Sequence, residues 1–247
     1  MKYILTTVII VGIGLYLNRS YAHIYSSIGA SKLASPTVQQ RLDIKPASGQ
    51  AVRKLVYVAL GDSLTAGVGA TAQDKTYPYQ LAALLANTKQ AEVTLVNLAW
   101  PGATAADVLQ NQVPLLAQFK PDVITLAIGV NDIHNRVPDE EFVQTISKIV
   151  DRSVASAKQV MVVTIPFIGD KSLFLPPYRA YFDWQTKRYN VLLNQALATK
   201  QIQVIDLYGL THSKAMADET YYSPDHFHPS DAGYAFWSTV VYDHLNF

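Results

Sequence analysis

The chain has 247 residues, of which 49% are hydrophobic, and this is enough for one substantial core and predicts a single folded domain. It carries 20 Lys and Arg residues against 19 Asp and Glu residues, with no long run of either sign, so no nucleic-acid partner is expected. It contains no cysteine, which excludes disulfide bonds, thiol catalysis and cysteine-based metal sites.

The first 22 residues differ in character from the rest. Lys2 precedes an apolar stretch over residues 3–17, and Ser20 and Ala22 supply the small residues of a signal-cleavage site. The stretch is long for a signal core but shorter than the ~20 residues of a full transmembrane helix. Residues 1–22 are therefore interpreted as a signal peptide or an N-terminal membrane anchor. Both interpretations predict an exported protein, extracellular or periplasmic, and the second predicts membrane association through residues 3–17.

Residues 23–50 are polar and irregular and predict a linker, and a domain is expected over residues 51–247. In that domain, apolar runs typical of buried strands alternate with helical patterns. The strands are predicted at 55–60, 93–98, 123–128, 160–165 and 202–207, and the helices at 78–88, 104–119, 139–158, 181–200 and 230–245. This alternation predicts an α/β fold that is doubly wound and flavodoxin-like, a three-layer α/β/α arrangement with a five-stranded parallel sheet.

Two short segments far apart in the chain supply the side chains of a nucleophilic hydrolase. Residues 61–64 read Gly-Asp-Ser-Leu and follow a predicted strand, whereas residues 225–229 read Asp-His-Phe-His-Pro and precede the last predicted helix. A serine hydroxyl is a poor nucleophile at neutral pH, so it needs an imidazole in hydrogen-bonding reach and a carboxylate that orients the imidazole. The segment 61–65 around Ser63 lacks the second glycine of the Gly-x-Ser-x-Gly elbow, which argues against an ordinary α/β-hydrolase.

Four segments occur in an order that resembles the GDSL, or SGNH, hydrolase family. They are residues 61–64 (Gly-Asp-Ser-Leu), 97–102 (Asn-Leu-Ala-Trp-Pro-Gly), 129–132 (Gly-Val-Asn-Asp) and 225–228 (Asp-His-Phe-His). The resemblance covers the chain from about residue 55 onward, and it implies the SGNH hydrolase fold and a serine esterase. One departure is Val130, where many relatives have a second glycine, and it bears on the shape of the pocket.

The resemblance also implies a role for each matching residue. Ser63 would attack the carbonyl carbon, His228 would act as general base and then general acid, and Asp225 would orient His228. The backbone N–H groups of Ser63 and Gly102 and the side-chain amide of Asn131 would form the oxyanion hole. Neither a cofactor nor a metal ion is expected.

Each motif taken alone has a simpler explanation. Gly-Asp-Ser favours a turn, and Asn131 could cap a helix. Asp225, His226 and His228 could bind a metal ion, although no further ligand lies at a recognisable spacing. The four segments together favour catalysis. Of the two histidines, His228 is preferred because it lies three residues after Asp225 and directly before Pro229.

The substrate is the least specified part of the prediction. Residues 166–178 are apolar for a loop and, with Trp100, could line an acyl pocket or form a lid, or could simply pack on the body. The leading hypothesis is an exported acylhydrolase or lipase-like esterase that cleaves carboxylic esters or thioesters through an acyl-enzyme. A carbohydrate O-acetyl esterase is the alternative, with Tyr178, Tyr181 and Trp184 available to stack on sugar rings. The third hypothesis is a non-catalytic, surface-tethered binding protein.

Overall fold

The computed structural model describes residues 2–30, 40–167, 169–170 and 172–245. Six strands form one sheet in the order β1-β3-β2-β4-β5-β6. Their bounds are β1 Gln40–Ile44, β2 Arg53–Gly61, β3 Ala91–Asn97, β4 Val123–Ala127, β5 Gln159–Val163 and β6 Gln203–Ile205. Strands β2 to β6 pair in parallel, whereas β1 pairs with β3 in the antiparallel sense. The five predicted parallel strands are therefore confirmed.

The additional strand, β1, corrects both the predicted linker over 23–50 and the five-stranded sheet. It lies at the edge of the sheet, where Leu42 and Ile44 are more buried than Arg41 and Asp43. Asp43 accepts a hydrogen bond of 2.6 Å from Thr94 Oγ1 on β3. Strand β1 has only five residues, so its alternation of buried and exposed side chains is too short to distinguish it from a loop in the sequence. The folded domain thus includes residues before the predicted start at residue 51.

Ten α-helical segments occur in the described parts of the chain. Their bounds are α1 Lys2–Ala30, α2 Ser63–Ala66, α3 Tyr77–Lys89, α4 Ala105–Asp107, α5 Leu116–Phe119, α6 Val130–Asn135, α7 Asp139–Val154, α8 Tyr178–Leu197, α9 Leu207–Ala217 and α10 Asp231–Asp243. Helix α3 packs against α10, and α7 packs against α8. These two pairs cover the sheet in the three-layer α/β/α arrangement that the sequence predicts.

The helix predicted at 104–119 is wrong as a continuous element. Its start is as expected, because Thr104 and Asp107 form a capping box at the beginning of α4. A π-helical turn over Val108–Gln112 and a 3-10 turn over Val113–Leu115 then precede α5. Pro114 lacks a backbone N–H and cannot continue an α-helix, and the preceding turn directs Gln112 into the protein interior. The spacing of apolar residues in this segment predicts a helix but does not distinguish α-helical turns from π-helical and 3-10 turns.

Helix α1 has two parts with different surroundings. The side chains of residues 3–16 are all exposed, whereas several residues from Leu17 onward are covered by the domain. The stretch Tyr3–Ile28 is long and apolar enough to cross a membrane by length and composition, with a mean hydropathy of 1.3 in its most apolar window. The structure therefore agrees with an apolar N-terminal helix but extends it beyond the predicted boundary at residue 22.

Candidate active site

The predicted site residues gather at one edge of the sheet, beyond the carboxyl ends of its parallel strands. Ser63 begins α2 directly after β2, Gly102 follows β3, and Asn131 lies in α6 after β4. Asp225 and His228 lie in the loop that precedes α10. Because parallel strands end at the same edge, segments that are far apart in the chain meet there. The structure thus brings all five predicted residues into one region.

Ser63, His228 and Asp225 form a continuous chain of hydrogen bonds. The Nδ1–H group of His228 donates to Asp225 Oδ2 over 2.6 Å, and His228 Nε2 lies 3.0 Å from Ser63 Oγ. With the proton on Nδ1, Nε2 carries a lone pair and accepts the serine hydroxyl. This arrangement can remove the proton from Ser63 while its oxygen attacks a carbonyl carbon.

Asp225 is fully buried, and both of its carboxylate oxygens accept hydrogen bonds. Besides the bond to His228, Oδ1 accepts Ser223 Oγ at 2.7 Å and the backbone N–H groups of Phe227 and His228, each at 2.9 Å. Burial alone would raise the pKa of Asp225, but the hydrogen bond and charge of His228, with the other donors, outweigh it and hold the pKa at about 2. Asp225 is therefore a carboxylate that orients the imidazole.

The loop between Asp225 and His228 is fixed by its own backbone. Ser223 N–H donates to the carbonyl of His228 at 2.8 Å, which closes the loop. His226, at its tip, has a φ of 60°, and this left-handed conformation reverses the chain between the two site residues. Ser230 then caps α10 by accepting a backbone N–H of its first turn. The register of Asp225 and His228 is thus set by a turn and a helix cap.

The predicted oxyanion-hole residues, Ser63, Gly102 and Asn131, line a cavity that His228 also borders. Gly102 has a φ of 85°, which favours glycine, in a turn closed by the N–H of Ala103 and the carbonyl of Trp100 at 3.4 Å. The amide nitrogen of Asn131 donates to the carbonyl of Ala103 at 2.9 Å and lies 3.5 Å from Asp62 Oδ2. Asn131 therefore connects the turn of Gly102 to the residue that precedes Ser63.

Two buried carboxyl groups support this region from below. Asp62 accepts the N–H of Leu64 at 3.0 Å and so caps α2, while Asp132 accepts the N–H of Ala105 at 3.0 Å. Burial raises the pKa of Asp62 to about 7 against the hydrogen bond from Leu64, and the charge of Asp132 adds to the rise. Burial likewise raises the pKa of Asp132 to about 6.

His226 takes part in a different set of contacts. Its Nδ1–H donates to Asp170 Oδ2 at 2.6 Å, and Ser172 Oγ lies 3.0 Å from the same nitrogen. His226 therefore does not join Asp225 and His228 in a common cluster. Within the described residues, no group of three His, Asp or Glu side chains is arranged to hold a metal ion.

A cavity of about 390 Å³ opens beside the predicted nucleophile. Ser63, Gly102, Asn131 and His228 lie in its wall. The segment 166–178, whose residues 168 and 171 lie outside the described residues, contributes Phe174, which is buried and lies with its ring centroid 4.8 Å from that of Phe182. The segment therefore both packs on the body and lines the cavity. Pro101 and Gly102 line it where the sequence suggested Trp100.

Sequence reasoning missed the polar side chains that hold these segments in place. The buried amide of Gln112 accepts the N–H of Gly61 at 2.9 Å and donates to its carbonyl at 2.8 Å. Asn97 donates to the carbonyl of Thr65 at 2.8 Å and so ties β3 to α2. In the sequence, Gln112 is the last of three consecutive amide residues, 110–112, and nothing in that local pattern identifies it as the buried one or points to its partner.

A nucleophile, a histidine and a buried carboxylate at the edge of an α/β/α fold define a serine hydrolase. The chain matches the GDSL-like lipase/acylhydrolase family over residues 59–236 and belongs to that family. It is 28% identical over 196 residues to the spore germination lipase LipC of Bacillus licheniformis, an alignment that covers 73% of this chain and 91% of LipC.

Solved structures share the fold. TesA aligns with a TM-score of 0.64 at 20% identity, covering 77% of this chain and 98% of TesA. Axe2, an acetylxylan esterase from Geobacillus stearothermophilus, aligns with a TM-score of 0.62 at 20% identity, covering 80% of this chain and 96% of Axe2. The family and the lipase relative identify this protein as an enzyme of the GDSL ester hydrolase type, which excludes the hypothesis of a non-catalytic binding protein.

Proposed function

We propose that the protein hydrolyses carboxylic esters through an acyl-enzyme formed on Ser63. The observation that carries the proposal is the hydrogen-bonded chain from Ser63 through His228 to buried Asp225, with distances of 3.0 and 2.6 Å. His228 Nε2 accepts the hydroxyl proton as Ser63 Oγ bonds to the carbonyl carbon, and Asp225 stabilises the imidazolium that results. The imidazolium then gives its proton to the leaving alcohol or thiol, whose bond to the acyl carbon breaks.

Water completes the cycle by the same route. His228 removes a proton from a water molecule as its oxygen attacks the acyl carbon, and it returns that proton to Ser63 Oγ when the ester bond breaks and the acid leaves. In both halves the carbonyl oxygen becomes negative, and the N–H groups of Ser63 and Gly102 with the amide of Asn131 stabilise it. Removing one such donor costs roughly 3 to 4 kcal/mol in a comparable hydrolase.

The cavity supports an acyl chain as the group bound beside Ser63. Apart from the site residues, its walls include Val68, Ile133, Phe174 and Phe182. Such walls gain free energy by excluding water from hydrocarbon and offer few polar partners for a sugar. An acylhydrolase that acts on ester or thioester groups is therefore the substrate class that we propose.

The exposed apolar part of α1 supports export with retention at a membrane. Side chains over residues 3–16 are all exposed, and hydrocarbon is the environment in which such a surface is stable. The full chain should remain in the membrane fraction after alkaline carbonate washing, and a variant that lacks residues 2–16 should be released. Release of the full chain by carbonate would contradict the anchor.

One observation favours the O-acetyl esterase as a second candidate. Tyr181 and Trp184 on α8 are 39% and 56% exposed, and their ring centroids lie 6.4 Å apart. The ring of Tyr181 also lies 5.4 Å from that of Phe182, which lines the cavity. Exposed aromatic rings beside a site suit stacking on sugar rings, and Axe2 shares the fold.

The test is a substrate series run with the Ser63→Ala variant. Wild-type protein should hydrolyse p-nitrophenyl esters from acetyl to palmitoyl, with acyl-CoAs and acetylated xylan assayed beside them, and Ser63→Ala should lose the activity without unfolding. A fluorophosphonate should label Ser63, and Ser172→Ala serves as the matched control because Ser172 also neighbours a histidine. Release of acetate from xylan alone would favour the second candidate. Labelling that persists in Ser63→Ala would overturn the proposal.

A further inference from the structure

The second half of α1 lies on the domain along one helix face. Ser20 and Ile24 are only 1% and 5% exposed, and Leu17 and Ile28 are partly buried. Their spacing of three, four and four residues places them on the same side of the helix. Because the residues from 3 to 16 are all exposed, the packed face begins where the apolar stretch ends.

Specific contacts join this half of α1 to the segment 166–178. Tyr178 Oη donates to the carbonyl of Leu17 at 3.2 Å, and the ring centroids of Tyr21 and Tyr178 lie 5.9 Å apart. His23 Nε2–H donates to the carbonyl of Ser172 at 3.3 Å. The helix is therefore held by hydrogen bonds and ring contacts as well as by apolar burial.

The same helix face reaches the cavity beside the nucleophile. Tyr21, Ile24 and Ile28 line that cavity together with Ser63 and His228. Without α1, the cavity would lack these three side chains and its other apolar walls would face solvent. The helix thus supplies part of the surface that a substrate would contact.

We infer that Tyr21, Ile24 and Ile28 of α1 form one wall of the acyl-chain subsite, so that the working enzyme retains this helix. The inference rests on the proposed esterase function. Cleavage after Ala22 would remove Tyr21 and the carbonyl of Leu17, and it would leave Ile24 next to a new chain terminus. The wall selects acyl chains of several carbons over acetyl, because only a longer chain reaches these apolar side chains.

A matched pair of isoleucine variants tests the wall in full-length protein in a nonionic detergent. Ile24→Ala should lower the ratio of kcat/KM for octanoyl over acetyl p-nitrophenyl esters by about tenfold, the range in which apolar pockets discriminate chain length. Ile13→Ala removes the same atoms from the exposed part of α1, where Ile13 is 54% exposed, and should leave the ratio unchanged. If wild type hydrolyses both esters and the two variants behave alike, the wall is overturned.

A second measurement does not depend on esterase activity. Since the chain has no cysteine, Ile24→Cys and Ala22→Cys each introduce a single thiol, one buried and one exposed on the same helix turn. A maleimide should label Ile24→Cys about tenfold more slowly than Ala22→Cys if α1 stays packed. Equal rates would overturn the inference. Slow labelling in a protein that hydrolyses no ester would show that the proposed function, and the substrate role that depends on it, had failed while the packing of α1 stands.

Discussion

The two aspartate–histidine pairs at this edge of the sheet differ in which ring nitrogen meets the serine. At His228, Asp225 contacts Nδ1 and Ser63 contacts Nε2. When the ring takes the serine proton on Nε2, the carboxylate on the other nitrogen stabilises the positive charge of the imidazolium. At His226, the carboxylate and the serine share Nδ1, and the serine itself donates to the carboxylate at 2.6 Å. That second set can hold a loop in place but cannot pass a proton across the imidazole.

We therefore expect the two histidine variants to differ sharply. His228→Ala should lower kcat/KM nearly as far as Ser63→Ala, because residues that act as one unit do not contribute additively, and Asp225→Asn should cost somewhat less. Since the pKa of Asp225 is about 2, that carboxylate stays charged throughout an ordinary assay range. His226→Ala should keep most of the activity. A dead His226→Ala variant beside a nearly normal His228→Ala variant would show that the assignment is reversed.

At the scale of the elements, buried amides fix the ends of two strands that border the site. Gln112 pairs with both backbone groups of Gly61 at the end of β2, where a Cβ would lie 2.3 Å from the carbonyl oxygen of Ala127. Asn190 on α8 pairs in the same way with Ile165 after β5, at 2.8 and 2.9 Å. Each amide supplies the hydrogen bonds that these buried backbone N–H and carbonyl groups would otherwise have to make to water.

Gln112→Leu should therefore damage both stability and catalysis. Loss of the two bonds leaves buried polar groups at Gly61 without this partner, which should lower the free energy of unfolding by about 2 to 4 kcal/mol. A displaced Ser63 should lower kcat by about 100-fold, as a misplacement of roughly 1 Å does. Denaturant unfolding and ester kinetics measure the two effects. Gln144→Leu, at an exposed position on α7, is the control and should change stability by less than about 0.5 kcal/mol. Equal effects of the two substitutions would contradict a role for Gln112.

The elements that the sequence predicted in the domain are strands that contain an apolar run and helices of at least 13 residues. Strands β2 to β6 and the long helices α3, α7, α8 and α10 have this character, and their predicted positions differ from the structure by a few residues. Edge strand β1 and short helix α6 were not predicted because their patterns extend over too few residues. The sequence motifs identified the residues that gather at the site, whereas the partners of Gln112 and the position of α1 depend on tertiary contacts that no local pattern contains.

At the scale of the whole molecule, three buried carboxyl groups give stability opposite dependences on pH. Asp225 has a lowered pKa, so its contribution is present above about pH 4 and is lost as the pH falls toward 2. Asp62 and Asp132 have raised pKa values of about 7 and about 6, so their contribution is complete below about pH 4 and is lost as the pH rises through these values. Together these three groups favour greatest stability between about pH 3 and pH 4.

The substitution Asp62→Asn tests the carboxyl group whose pKa is raised further, that of Asp62. Asparagine resembles the protonated carboxyl and can still accept the N–H of Leu64, but it does not ionise. The difference between 3.8 and about 7 corresponds to roughly 4 kcal/mol that wild type loses as the pH rises from 4 to 8 and the variant does not. In urea unfolding followed by tryptophan fluorescence, the variant should therefore gain stability relative to wild type across this range. Asp74→Asn, at an exposed aspartate in the 3-10 turn Gln73–Lys75, should follow wild type throughout. If Asp62→Asn also ran parallel to wild type from pH 4 to 8, Asp62 would have to be ionised in the folded protein over that whole range.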